Sequence, residues 1–431
     1  MRPLPRAPTA LTALAALAAS TAGGLALALS WVAWAGQAHD DEPAPVSPVT
    51  LTATAMPWTP AAAPPAVPDD LTVTVAFGGD ILTHMPVNAS AAAAAGAEGG
   101  YEFNPLLAGA DAWIAGADLA ICQLEVPLAP PGRAPTGFPI FAAPSSLARD
   151  LAEAGWDGCT TASNHAIDQG WAGVSHTIET LLANGMGYAG TALDADDAEL
   201  AQLYRLTGAG QTLTIAHIAA TYGTNGLPLP AAQPWAVNTP IDTDRLIAQA
   251  EAARAAGAEV VLASVHAGVE YQTTPSAEQR AIVSRLAESG QIDAVIGDHP
   301  HVAQPVELVP GGVHGDGMWV VYSLGNFISN QTDAVVGPNT DTGAVAFVTI
   351  AKDAGGAAVT GMTWAGVTVD SAHGHRVHML EDAVDGELGQ IGAAGVKLRH
   401  DRLRAIMGSA PEQLAPPTPS GATLEVLPRS G

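Results

Sequence analysis

Asn164, His165 and Asp168 lie close together in the stretch Thr160-Thr161-Ala162-Ser163-Asn164-His165-Ala166-Ile167-Asp168-Gln169-Gly170, and they offer an amide oxygen, a ring nitrogen and a carboxylate. An apolar run leads in from Gly158, and a helical pattern opens after Gly170. Such a junction delivers polar groups at the carboxyl end of a buried strand, where open α/β sheets place their ligands. Taken alone, Asn and Asp also serve as ordinary turn formers.

The pattern recurs at four more strand ends. The alternating, β-branched run Leu71–Phe77 leads to Gly78-Gly79-Asp80, with His84 a turn further on. The run from Asp118 to Val126 carries Glu125, the run from Glu259 delivers His266, and the run from Ile292 delivers Gly297-Asp298-His299-Pro300-His301. A single Asp after a strand is usually a turn residue or a helix cap. Five polar ends at one topological position point to one crevice. Two carboxylates, one amide oxygen and three imidazoles suit two divalent transition metals. In extended backbone His299 and His301, at i and i+2, point the same way, with Pro300 fixing the chain between them. The pair is therefore expected to hold a single ion.

The elements that position these groups alternate in type. Helical spacing covers 144–154, 174–184, 242–256 and 276–289, with further strands near Gly187 and Tyr204 and over 212–220 and 319–323. Such alternation implies an α/β architecture. The Ala/Gly-rich residues 88–100 read as a loop or weak helix, and 344–351 with 359–369 as a terminal antiparallel pair. The folded domain is expected over 71–371. Residues 372–410 form an extension with a helix near 380–406, and 411–431 read as a disordered tail. His373, His375 and His378 fall where the pattern weakens and are expected in solvent.

The formal net charge is −26, and the only lysines are Lys352 and Lys397. That field repels nucleic acid and anionic lipid, so neither is an expected partner. It also repels an anionic substrate unless a local cation reverses it. Arg2 and Arg6 precede an uncharged run from Ala7 to Ala38, the pattern of an export signal. Small residues around Ala33 and Ala38 permit cleavage, yet the uncut run is long enough to span a bilayer with the bulk of the chain outside. Exported protein is thus expected, either anchored at the extracellular face or secreted. A Pro/Ala/Thr-rich tether fills 39–70. Cys122 and Cys159 each sit in an apolar strand and read as buried free thiols, pairing being the alternative in an oxidising compartment.

Taken together, Gly79-Asp80, Leu124-Glu125-Val126-Pro127-Leu128, Ser163 to Gly170, His266 to Tyr271, Gly297 to Gln304 and Tyr322-Ser323-Leu324-Gly325-Asn326-Phe327 resemble the bacterial capsule-synthesis family of CapA, associated with poly-γ-glutamate. That family is similar to calcineurin-like metallophosphoesterases. The resemblance implies two central β-sheets flanked by helices, an α/β/β/α sandwich, and a dinuclear site of Mn, Zn or Fe. Asp80, Glu125, Asn164, His266, His299 and His301 would be ligands, with Glu125 where phosphoesterases usually carry a bridging Asp. The position two residues after Asp80, usually a ligand His, is Leu82; His84 is the substitute, sharing a face with Asp80 if the turn is helical. His165 would contact the substrate outside the metals, and Asp168 either orients His165 or, as the preferred expectation, caps the following helix. Glu270, Tyr271, Gln304 and Asn326 are candidate substrate contacts. The implied functions are a metal-dependent envelope hydrolase acting on a phosphoester or a γ-glutamyl amide, a non-catalytic component supporting assembly or export of an anionic polymer beside capsule-synthesis membrane proteins, or a secreted phosphatase.

Overall fold

The computed structural model describes residues 70–383 and 386–429. The expected signal segment and nearly all of the tether, residues 1–69, lie outside the described residues. Among the described residues no helix is long and apolar enough to cross a membrane.

In chain order the elements are β1 (Leu71–Ile81), α1 (Met85–Ala95), α2 (Asn104–Leu107), α3 (Asp111–Ile114), β2 (Leu119–Leu124), α4 (Ser146–Glu153), β3 (Gly158–Thr160), α5 (Gly170–Ala183), β4 (Gly187–Ala189), β5 (Gln202–Gly208), β6 (Gln211–Thr221), α6 (Thr243–Ala255), β7 (Val260–His266), α7 (Ala277–Ser289), β8 (Ala294–Asp298), β9 (Ala303–Val309), β10 (Met318–Leu324), β11 (Asn326–Ile328), β12 (Thr342–Asp353), β13 (Gly356–Asp370), β14 (Arg376–Met379), α8 (Ala393–Met407) and β15 (Thr423–Val426). They build two mixed sheets. One has the order β14-β13-β12-β1-β2-β3-β4, with β11 pairing β1; the other runs β15-β5-β6-β7-β8-β10-β9. In each, the central strands are parallel, β1 to β4 and β6 to β8 with β10. Parallel strands need both faces covered, which explains the near-continuous apolar sequences of β2, β7 and β8.

The sheets pack on each other through Val73, Val75, Phe77, Leu119 and Ile121 of the first and Ile215, Leu262, Ile296 and Val321 of the second. The outer face of the first sheet is covered by helices contributing Val87, Trp113, Leu147 and Ile178. That of the second is covered by Leu246 and Ala250 of α6 and Val283 and Leu286 of α7. This is the expected α/β/β/α arrangement. Local signals set several ends. Asp242 caps α6 by accepting from the amides of Asp244 and Arg245, and Ser276 with Gln279 closes a capping box on α7.

Residues 85–95 form a helix with Pro86 in its first turn, the helical alternative of the two expected for the Ala/Gly-rich stretch. Several expectations are corrected. The pair β12 and β13 is antiparallel as expected but not terminal, because β14 extends it. The tail is not disordered: β15 pairs antiparallel with β5, and Ser420 binds Asp118. Its alternating Thr-Leu-Glu-Val is only four residues long, too short to stand out in sequence, so it is visible only as an added edge. Cys122 and Cys159 form a disulfide, because parallel pairing of β2 and β3 places them in register with Cα atoms 4.4 Å apart. The bond closes a loop with a sequence separation of 37. Replacing both cysteines by alanine is expected to lower unfolding stability by roughly 3–4 kcal/mol, read from denaturant midpoints.

His217 of β6 is a buried core histidine between the sheets, 2.9 Å from Ser264 Oγ and edge-on to Phe77. Burial, with Arg429 adding, lowers its pKa to about 3. Below an unfolded value of 6.5 the unfolded chain takes up a proton that the fold refuses. Stability is therefore lost as pH falls from 6.5 toward 3, by roughly 3 kcal/mol at pH 4.5. His217→Asn should flatten that limb of a melting-temperature profile.

Candidate metal centre

The polar groups sit where strands of both sheets end on a common side. Asp80 is the penultimate residue of β1, Glu125 follows β2, and Asn164 and His165 lie in the turns between β3 and α5. From the second sheet, His266 ends β7, and His299 and His301 follow β8. Close backbone approach holds these ends. A Cβ on Gly79 would stand 1.9 Å from the Gly325 carbonyl oxygen, and one on Gly297 2.0 Å from that of Tyr322. Only glycine permits both, and the Asp80 amide then donates to Gly325 O at 2.8 Å.

Two groups of potential ligands result: Asp80, Glu125 and His301, and Glu125, His266 and His299. Within each group one ligand atom per residue lies within 4.8 Å of the others, and all five residues are buried. Glu125 belongs to both. His301 Nδ1 is 3.1 Å from Asp80 Oδ2, and its Nε2 is 3.7 Å from Glu125 Oε1. His266 Nε2 is 3.9 Å from Glu125 Oε1 and 2.9 Å from Asn164 Oδ1. Both Glu125 oxygens, Asp80 Oδ1 and His299 Nδ1 are buried without a hydrogen-bond partner. Buried carboxylate oxygens of this kind are costly unless a cation meets them, so the donor set fits divalent metal. Two other groupings, Glu381 with His400 and Glu412 and Glu102 with Asp150 and Glu153, contain carboxylates already bound by Arg404 or Arg149.

The electrostatics agree with that fit. Burial, reinforced by Asp80, pushes the Glu125 carboxyl well above the usual range, although His301 opposes it. Burial likewise raises Asp298. Burial lowers His266 well below 6.5 and lowers His299 to about 3. His301 differs: burial opposes its charge, but Glu125 and Asp80 together raise it to about 9. The carboxylates thus hold positive charge where two imidazoles stay neutral.

His299 and His301 do not share one ion's position. They belong to different groups, with ring centroids 6.0 Å apart. The segment is not extended: φ is 102° at His299 and 59° at His301, left-handed values that cost energy in residues with a Cβ. His84 stands outside both groups. Its Nδ1 is 3.2 Å from Leu82 O and 3.5 Å from the Asn330 amide, and its ring meets Phe141 edge-on. Burial lowers its pKa to about 4.

Asp168 does not cap α5, whose N-cap is Gln169. Its Oδ2 instead accepts from His165 Nδ1 at 2.7 Å and from the Phe141 amide at 2.7 Å. Tyr271 is 40% exposed at the rim, 6.0 Å ring to ring from His301, and Glu270 beside it is exposed. Gln304 and Asn326 are buried supports rather than open contacts. Gln304 accepts from Gln279 and donates to Gln272 O, while Asn326 donates to Gln331, Thr340 O and His301 O. The expectation for the late histidines is corrected at His375, which is buried between Ser90 Oγ and Asn330 Oδ1, each at 2.8 Å.

Several site residues carried no warning. Gln123 Nε2 lies 3.2 Å from His266 Nδ1. Asn225 accepts from Asn164 Nδ2 at 3.3 Å and places its own Nδ2 3.4 Å from His165 Nε2. The dipeptide Asn225-Gly226 announces a turn, and nothing local announces a site.

Residues 74–331 match the family model described as bacterial capsule synthesis protein PGA_cap. The chain is 29% identical over 171 residues to the PGA biosynthesis protein CapA of Bacillus subtilis (strain 168), covering 40% of this chain and 42% of that protein. It is 27% identical over 195 residues to the capsule biosynthesis protein CapA of Bacillus anthracis, covering 44% of each. The matched regions therefore span less than half of those relatives. Among solved structures it is similar to the calcineurin-like phosphoesterase YfkN from Bacillus subtilis, with a TM-score of 0.40, 13% identity, and coverage of 78% of this chain and 98% of that one.

Proposed function

The chain belongs to the bacterial capsule synthesis protein PGA_cap family, and we propose that within it this protein is a metal-dependent hydrolase of the cell envelope, cleaving a phosphoester or a γ-glutamyl amide. The observation carrying this reading is Glu125, whose two unpartnered oxygens serve both ligand groups. Asp80, Glu125 and His301 would hold one divalent ion, and Glu125, His266 and His299, with Asn164 beside them, the other. Such ions, when bound, act as Lewis acids that lower the pKa of coordinated water and polarise the attacked group.

The chain's own residues supply the rest. Asp168 accepts a hydrogen bond from His165 Nδ1–H, which fixes the ring and leaves the proton-free nitrogen at Nε2, 3.4 Å from Asn225 Nδ2, to exchange a proton with substrate. Asn225 and Phe141 hold that ring from its other sides. The buried walls limit water to the opening, where His165 is 8% exposed. In hydrolysis the hydroxyl of water joins the attacked phosphorus or carbon, and the departing oxygen or nitrogen takes a proton.

The N-terminal charge and apolar pattern supports export, and family membership supports a role beside capsule-synthesis membrane proteins with an anionic envelope polymer. The test is metal analysis of the purified protein for Mn, Zn and Fe, with assays on bis(p-nitrophenyl) phosphate and poly-γ-glutamate. Stoichiometric metal and turnover that falls by about 100-fold or more in His299→Ala are expected. Protein that takes up no metal and cleaves neither substrate would leave the non-catalytic envelope role as the better reading.

A further inference from the structure

The mouth of the metal centre is lined with exposed rings. Tyr222, 36% exposed, lies 4.6 Å ring to ring from His299, and Tyr271 lies beyond His301. On the His165 side Phe141 packs 4.7 Å from the imidazole, and Phe138, 78% exposed, stands 6.5 Å beyond Phe141. Among the described residues these three, Tyr222, Tyr271 and Phe138, are the large aromatic side chains left exposed, and all three are here. Met85 and Ile140 are exposed in the same region, Gly137 packing against Met85. Apolar surface gathered at one mouth marks something that covers it.

Cations are scarce at the same place. Both lysines and ten of the twelve described arginines are held by carboxylates. Of the other two, Arg376 lies in the edge strand β14, and Arg133 reaches the rim, donating to Gln169 Oε1. The net charge of −26 adds long-range repulsion against any polyanion. Metal held by the two ligand groups would meet one anionic group, and little beyond Arg133 would meet a second.

We propose that the ligand of this site carries one anionic reacting group joined to an uncharged group with a flat, apolar face, which Tyr222, Tyr271 and Phe138 grip. This inference rests on the hydrolase reading for the fate of the reacting group, but not for the grip itself. It favours the ester of a ring-bearing or otherwise neutral alcohol over an internal bond of a polyanion.

The test is calorimetric binding of phenylphosphonate, methylphosphonate and 4-carboxyphenylphosphonate to the full-length protein loaded with Mn. Phenylphosphonate should bind about 10-fold tighter than methylphosphonate, and the added carboxylate should weaken it. Phe138→Ala and Tyr222→Ala should each shrink the phenyl preference with metal content unchanged. Equal binding of phenyl and methyl compounds, or a preference for the carboxylated ring, would overturn the proposal. Hydrolysis of p-nitrophenyl phenylphosphonate and p-nitrophenyl methylphosphonate, which share a leaving group, separates the two readings. A phenyl preference in binding without turnover sinks the hydrolase and keeps the grip. Equal turnover with equal binding keeps the hydrolase and sinks the grip.

Discussion

Replacing Glu125 by glutamine is expected to abolish metal binding at both ligand groups at once. Its carboxylate is the member they share, and neither oxygen has another partner. Glutamine keeps the shape but removes the charge that makes oxygen a competitive ligand for a divalent ion. Elemental analysis after dialysis should fall from about two ions per chain to a small fraction of one. Asp80 is a member only of the group containing His301, its Oδ1 lying 4.0 Å from His266 Nδ1, so Asp80→Asn should spare the ion beside His266 and His299. Retention of both ions in Glu125→Gln would show that the carboxylate is not shared. Stability gives a second readout. Burial, with Asp80 adding, raises the Glu125 pKa despite His301. In metal-free protein its ionised form therefore opposes folding above the unfolded carboxyl pKa, and the cost grows as pH rises. Metal-free Glu125→Gln should melt no lower than metal-free wild type near neutral pH. Added metal should raise only the wild-type midpoint, by about 2.7 kcal/mol of stabilisation for each ion bound at a free concentration 100-fold above its Kd.

Asp168→Asn is expected to lower kcat by roughly 10²–10⁴-fold while leaving the metal content intact. Asp168 touches none of the groups in the two ligand sets; it acts through the 2.7 Å bond to His165 Nδ1. A carboxylate only accepts, so the ring proton is held on Nδ1 and Nε2 carries none. Asparagine offers a donor as well as an acceptor and no charge, so that orientation is no longer enforced. It still offers an oxygen to the Phe141 amide, now bonded at 2.7 Å, which keeps the loop in place. A loss of metal together with activity would assign Asp168 to the architecture of the centre instead of to the His165 proton.

Much of this protein is legible along the chain. Buried parallel strands write themselves as apolar runs, continuous before Glu125, Asn164, His266, His299 and His301 and alternating before Asp80, so these six residues stand out by position. The helices over 243–255 and 277–289 announce themselves through helical spacing. What the chain does not write is how one element lies across another. The register of β2 and β3 joins Cys122 to Cys159. The tail finds the edge of β5. Left-handed turns at His299 and His301 send neighbouring imidazoles to different groups. Asn225, Gln123 and Phe141 reach the centre from loops and from the penultimate residue of β2, with ordinary local sequence. Local sequence determined which residues sit at strand ends, because periodicity and capping act over a few neighbouring positions. Which strand ends face each other was decided by packing two sheets through their apolar faces, an interaction between residues far apart in the chain that leaves no trace in any one stretch.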